Sequence, residues 1–201
     1  MSEYIKFSCE RVAVEITAFG GLAELNAYRR KLLDLRLIGV DPNGIGFGNV
    51  SVRDGATDNF YITGSATGGM HELTLADCAK VVECDFERNR IRYEGSALPS
   101  SESLTHAAIY ESDATAGAVI HCHRSKLWEA VLNKAPTTSK TAQYGTPGMA
   151  NEIMQLFTRT DVQSRKIVVM AGHEAGILTF GKDLEEAFAV LMREREEFTP
   201  E

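Results

Sequence analysis

Five histidines are spread over 201 residues, and two of them, His121 and His123, stand two positions apart at the end of the apolar run "AGAVIHCH". In a strand, alternate residues share a face, so Val119, His121 and His123 look one way and Ile120 and Cys122 the other. Two imidazoles on one face can converge on a metal ion, or they can be two half-buried polar residues. His173 tilts the balance, because it follows the apolar run "KIVVM" and sits in the Gly-rich turn "AGHEAG". Three imidazoles with one open position make a Lewis-acid site, whereas closed structural sites lean on thiolates. Glu102 is the fourth candidate, although a carboxylate early in a helix is also favoured by the helix dipole alone. Ser100 and Ser101 precede it and offer hydroxyls and unpaired N–H groups to a phosphate or carboxylate. His106, one turn beyond Glu102, reads as a packing residue among "THAAIY", and His71 as an exposed residue in a polar turn. Cys122 faces away from the histidines and is not a ligand.

These residues need elements to hold them. Leu22, Leu25, Leu32, Leu35 and Ile38 recur at roughly helical spacing and predict a helix that stops at Gly39. "GIGFGNVSVRDG" reads as a Gly-rich loop leading into a strand, "NFYITG" as a second strand, and "LTLADCAKVVE" as a short helix capped by Thr74 that runs into a strand. "RIRYEG" is a further strand or hairpin arm, and "PSSESLTHAAIYES" a helix with Pro99 and two serines at its start. "GTPGMANEIMQLFTRT" is a helix, "RKIVVMAGH" a strand ending at His173, "GILTFG" its pairing strand, and "DLEEAFAVLMREREEF" an amphipathic closing helix. Mixed strands and helices without regular alternation predict a sheet covered by helices rather than a barrel.

Other site architectures fail on spacing. The dinucleotide fingerprint G-x-G-x-x-G needs glycine where Asn49 stands, and a helix rather than a strand precedes the loop. A cupin needs a glutamate soon after the second histidine, but Glu129 is the nearest carboxylate. An amidohydrolase barrel carries such a pair near its first strand, in a longer chain. The net charge of -7 argues against a nucleic-acid surface. The basic run Arg29-Arg30-Lys31 reads as a solvated helix face. No apolar stretch approaches the ~18 residues of a membrane span, and "MSEYIKFSCE" lacks the apolar core of a secretory signal. Cys9, Cys78, Cys84 and Cys122 show no C-x-x-C spacing, which predicts reduced thiols in a cytoplasmic protein.

The stretches "GFGNVSVR", "YITGSATGG", "PSSESLTHAAIY", "VIHCH", "YGTPGMANEI" and "GHEAGILTFGKDLEEAF", in that order, resemble the class II aldolase/adducin family. The resemblance runs from Leu22 to Phe188. It implies a three-layer α/β/α sandwich around a largely antiparallel sheet, one domain over residues 1–201, and a homotetramer with active sites between subunits. It also implies Zn²⁺ or another divalent metal on His121, His123 and His173, with Glu102 as a further ligand or the acid/base. Asn49, Thr63, Gly64, Ser65, Thr67, Gly68, Ser100 and Ser101 match the groups that cradle a phosphate. The implied activity is that of an aldehyde-lyase, cleaving a small phosphorylated ketose by retro-aldol chemistry through a metal-stabilised enediolate. Epimerisation and dehydration of a ketose phosphate use the same parts and stay open. The non-enzymatic alternative is a metal-free adducin-like scaffold, against which the complete histidine set stands. Three departures are visible. Gly172-His173-Glu174 replaces the family's Asn-His-Gly, and "TGSATGG" is longer than the usual phosphate loop. "REREEFTPE" supplies no tyrosine, which leaves a tyrosine elsewhere or Glu174 as proton donor.

Overall fold

The computed structural model describes residues 6–199; the ends of the stretches "MSEYIKFSCE" and "REREEFTPE" at residues 1–5 and 200–201 lie outside the described residues. In chain order the elements begin with β1 (Ser8–Arg11), α1 (Leu22–Asp34), β2 (Gly39–Val40), β3 (Gly46–Phe47) and β4 (Asn49–Arg53). Then come β5 (Phe60–Thr63), a 3₁₀ turn (Leu75–Asp77), β6 (Cys78–Asp85), β7 (Arg90–Glu94), α2 (Ser103–Ser112) and β8 (Ala118–His123). The chain continues through α3 (Ser125–Val131), α4 (Pro147–Arg159), α5 (Val162–Arg165), β9 (Ile167–Val169), β10 (Gly176–Gly181) and α6 (Leu184–Phe198).

Eight strands form one sheet in the order β1-β7-β6-β5-β4-β8-β10-β9, while β2 and β3 pair separately. Every neighbouring pair in the large sheet is antiparallel except β1 and β7. Strand alternation sorts the core into two halves. On one face Ile62, Val119, Leu178 and Phe180 pack with Leu104 and Ile109 of α2 and Met149 and Ile153 of α4. On the other face Val50, Ile120, Cys122 and Ile177 pack with Leu25 of α1, Leu127 of α3 and Leu191 of α6. The result is the α/β/α sandwich that the sequence implied. Cys122 is buried on the side away from His121, as the alternation requires.

The helices start where the chemistry allows. Pro147 opens α4, where the missing N–H costs nothing, and the Thr146 hydroxyl accepts from the Met149 N–H at 3.4 Å. The Asp183 carboxylate accepts from the Glu186 N–H at 2.8 Å and caps α6. Asp77 receives both the N–H and the hydroxyl of Thr74, at 2.8 and 2.7 Å, so the expected short helix is a single 3₁₀ turn before β6.

Three expectations shift in ways that matter for the site. The first helix ends at Asp34 rather than Gly39, because Arg36 takes a left-handed φ of 55° and turns the chain. Leu37 and Ile38 then drop into the core, and the Leu37 carbonyl accepts the His123 N–H at 2.9 Å. The strand expected to reach His173 stops at Val169, and residues 170–175 fold into a turn. α2 begins at Ser103, with Glu102 at its N-cap, so Ser100 and Ser101 lie in the preceding turn. The sequence pattern marks none of β1, β2, β3, α3 and α5.

Ile120 is fully buried and faces away from the histidines. Replacing it with alanine is expected to cost about 2–5 kcal/mol in denaturant unfolding, with the metal stoichiometry of the folded protein unchanged. A variant that folds but loses metal would show that the two faces are not independent.

Candidate metal and anion site

β8 sets the site. His121 and His123 project from the α2 and α4 side of the sheet, and the turn after β9 brings His173 beside them. The ring centroids lie 4.9, 5.3 and 4.6 Å apart for 121–123, 121–173 and 123–173. One ligand atom from each lies within 4.8 Å of the others, a group that can hold a metal ion. The turn carrying His173 is closed by its own backbone. The Met170 N–H donates to Gly176 O at 3.0 Å, the His173 N–H to Met170 O at 3.1 Å, and the Gly176 N–H to His173 O at 2.9 Å. Trp128 of α3 adds an indole N–H to Met170 O at 3.1 Å. At Gly172 an added Cβ would collide with the Ala142 carbonyl oxygen, so only glycine lets these strands of chain pass.

Register then supplies a partner for His121. Asn49 on β4 lies directly opposite it, and the Asn49 amide nitrogen is 3.3 Å from His121 Nδ1. Nε2 of His121 and Oδ1 of Asn49 are buried without a hydrogen-bond partner among the described residues. A metal on Nε2 would place the ring proton on Nδ1, and Asn49 turned over about its amide would accept it through Oδ1. Glu102 is 2% exposed; its Oε2 accepts from the Thr105 hydroxyl at 2.6 Å, while Oε1 is also buried and unpartnered. Orphaned buried polar atoms cost free energy, so His121 Nε2 and Glu102 Oε1, on residues of one cavity wall, fit a site built for an ion and a ligand.

The electrostatics agree. Burial pushes the imidazoles of His123 and His173 down to about 4 and about 3, and His121 well below its ordinary 6.5. They are therefore neutral at pH 7, the form that ligates metals. Burial lifts the Glu102 carboxyl from 4.5 to about 7, against the opposing pull of Thr105 and the Lys6 charge.

A cavity of about 470 Å³ opens over these groups. Its walls include Asn49, Gly64, Ser65, Gly68, Ser100 and Ser101 together with the three histidines and Glu102. Thr63 and Thr67 are absent from the wall. The Thr63 hydroxyl accepts from the Val50 N–H at 3.3 Å, and the Thr67 hydroxyl donates to the Gly64 carbonyl at 2.8 Å, so both shape the loop from behind. The Ser100 hydroxyl accepts from the Glu102 N–H at 3.3 Å.

Comparison with known proteins follows the same lines. The class II aldolase and adducin N-terminal domain matches residues 43–195. The chain belongs to the class II aldolase and adducin family. Among solved structures, an L-fuculose 1-phosphate aldolase shares 26% identity over 90% of this chain and 84% of its own, with a TM-score of 0.65. YgbL from Klebsiella pneumoniae, assigned provisionally as an aldolase, epimerase or decarboxylase, shares 16% identity over 87% and 84%, with a TM-score of 0.64. L-fuculose 1-phosphate aldolase from Glaciozyma antarctica PI12 shares 16% identity over 91% and 76%, with a TM-score of 0.58.

Against that family background, several residues come to the site unannounced. Tyr144 lines the cavity with its ring 4.5 Å from that of His173, and the Lys6 ammonium sits 3.6 Å from the Tyr144 ring centroid. Phe47 is on the wall 5.4 Å from the His123 ring, and Asp41 is on it too. Tyr144 falls within the family-like stretch "YGTPGMANEI", which singles out no role for it, and nothing in the sequence marks Lys6. Glu174 is exposed and stands off the cavity wall. His71 is exposed as expected. His106 is fully buried, with Nδ1 2.7 Å from the Ser51 hydroxyl, which also meets Tyr110 at 2.8 Å.

Buried neutral histidines make stability depend on pH. The His106, His123 and His173 imidazoles sit at about 3, 4 and 3 in the folded chain, so below 6.5 the unfolded chain binds more protons. Stability is complete above 6.5 and falls as pH drops toward 3, by up to about 1.4 kcal/mol per histidine and pH unit. Glu102 opposes this, since its raised carboxyl favours the folded state as pH falls from 7 to 4.5. With four histidines against one carboxyl, the metal-free protein is expected to unfold at lower denaturant at pH 5 than at pH 7. An equal or higher midpoint at pH 5 would contradict the burial of these rings.

Proposed function

We propose that this protein is a metal-dependent aldehyde-lyase that cleaves a small phosphorylated ketose by retro-aldol chemistry. The observation that carries the reading is the convergence of one ligand atom from each of three neutral imidazoles within 4.8 Å, in a cavity whose wall Glu102 shares though it is not part of that cluster. A metal-free scaffold has no use for such a set. The N,N,N donor group with a carboxylate nearby suits Zn²⁺ or a similar divalent ion. When bound, that ion would supply a Lewis acid for the substrate carbonyl and for the enediolate that carbon–carbon cleavage leaves.

The chain's own groups do the rest. Glu102 holds one oxygen on Thr105 and leaves Oε1 to move a proton. A carboxyl poised at about 7 can take the proton from the substrate hydroxyl whose carbon is lost, then return it to the product. The Gly64–Gly68 loop, Ser100, Ser101 and Asn49 offer uncharged donors to the phosphate and so fix which bond faces Glu102. Phe47 and Tyr144 flank His123 and His173 and give the cavity an apolar side. Epimerisation or dehydration of the same substrate class would also begin with a stabilised oxyanion, and product analysis separates the three. The resemblance further suggests a homo-oligomer, a tetramer in the family, working on a small sugar phosphate in the cytoplasm. No helix among the described residues is long and apolar enough to cross a membrane.

Protein purified without chelator is expected to carry about one divalent ion per chain, and the pair His121→Ala/His123→Ala to carry none. Glu102→Gln is expected to stay folded and lose about 10²–10⁴ in turnover, against a panel of phosphorylated ketoses and their unphosphorylated analogues. A metal-free wild type, or a Glu102→Gln protein of full activity, contradicts the assignment.

A further inference from the structure

Arg29 breaks the pattern of its own helix. Arg30 and Lys31 are exposed as the charge run suggested, but Arg29 is 1% exposed and ranks among the largest fully buried side chains. Its partners are carbonyls. Nη1 donates to Met70 O at 2.8 Å, and Nη2 to Thr67 O at 2.7 Å and to Gly68 O at 3.5 Å. Glu72, at the end of the same loop, pairs with the exposed Arg30 instead. No carboxylate among the described residues bonds this guanidinium, and Asp77 and Glu72 only partly offset its burial through space, so it is expected to serve something beyond packing.

What it grips is the lengthened loop of the anion cradle, whose Gly64, Ser65, Ala66 and Gly68 line the cavity. In a planar trans peptide the N–H points opposite to the preceding C=O. Drawing Thr67 O onto Arg29 therefore turns the Gly68 N–H away from the guanidinium. The N–H groups of Ala66 and Gly68 donate to no acceptor among the described residues. The far side of the loop presses on β3. A Cβ at Gly46 would stand 2.9 Å from Ala66 O and 3.1 Å from Gly68 N, and one at Gly68 would strike the carbonyls of Phe47 and Gly39. The loop is thus clamped between a buried cation and a glycine-lined strand.

We propose that Arg29 is a positioning residue for the substrate's anionic group, setting the loop so that backbone N–H groups face the cavity and placing a buried positive charge behind them. This rests on the sugar-phosphate reading above. It would account for phosphate selection by a cavity whose wall, among the described residues, carries Glu102 and Asp41 but no lysine or arginine. The Asp41 Oδ1 is occupied by the N–H groups of Asn43 and Ile45, both at 2.8 Å.

The test is calorimetric titration of inorganic phosphate into wild type, Arg29→Lys and Arg29→Gln, with metal content measured in each. Arg29→Gln is expected to bind phosphate about tenfold more weakly at unchanged metal content, and Arg29→Lys, which keeps the charge, to recover part of the loss. On a phosphorylated substrate Arg29→Gln should raise KM with kcat held, and leave KM for the unphosphorylated analogue unchanged. A folded Arg29→Gln with wild-type phosphate affinity, or one that loses kcat at constant KM, overturns the inference alone. A wild type that binds no phosphate overturns the sugar-phosphate reading and this inference with it. If Arg29→Gln does not fold, amide NMR of wild type decides: phosphate must shift the Ala66 and Gly68 signals, and a response confined to Ser100 and Ser101 overturns the role given to Arg29.

Discussion

Three imidazoles gathered in one corner, one fully buried and two partly so, constrain the rest of this molecule. Each ring is held neutral there, and the fully buried His121 leaves its Nε2 without a protein partner. β8 delivers two of them through simple alternation, which commits Ile120 and Cys122 to the opposite core. The third arrives from a turn held shut by backbone hydrogen bonds and by Trp128. The early end of α1 serves the same corner, since it frees the Leu37 carbonyl to hold the end of β8. Local deviations from ideal elements thus gather where the ligands meet.

Charge is arranged in layers around that corner. The rings are kept neutral, and Glu102 is poised between its two forms by burial. The permanent cations lie off the cavity wall: Lys6 over the Tyr144 ring, Arg29 behind the loop. Such an arrangement leaves the Glu102 carboxyl free of a direct ion pair, which would hold it ionised.

Much of this was legible in the sequence because alternation and spacing carry it. The shared face of His121 and His123, the opposite face of Cys122, the pairing of the last two strands and the closing helix all follow from period and punctuation. Thr63 and Thr67 were legible as loop residues but not as inward-turned ones, since a hydroxyl's direction depends on a local acceptor such as Gly64 O. Arg29 misled for the opposite reason. A basic triplet looks solvated, and only a carbonyl-rich loop arriving from 38 residues downstream makes a place for the middle guanidinium. Lys6 and Tyr144 meet across most of the chain, which no local pattern encodes.

X-ray absorption at the metal edge of the purified protein tests the central claim most directly. The account predicts three imidazole nitrogens at about 2.0–2.1 Å, completed by oxygen and with no sulfur. The pattern should be lost when His173 is replaced by alanine. A first shell of oxygens alone, or one containing a thiolate from Cys122, would contradict it.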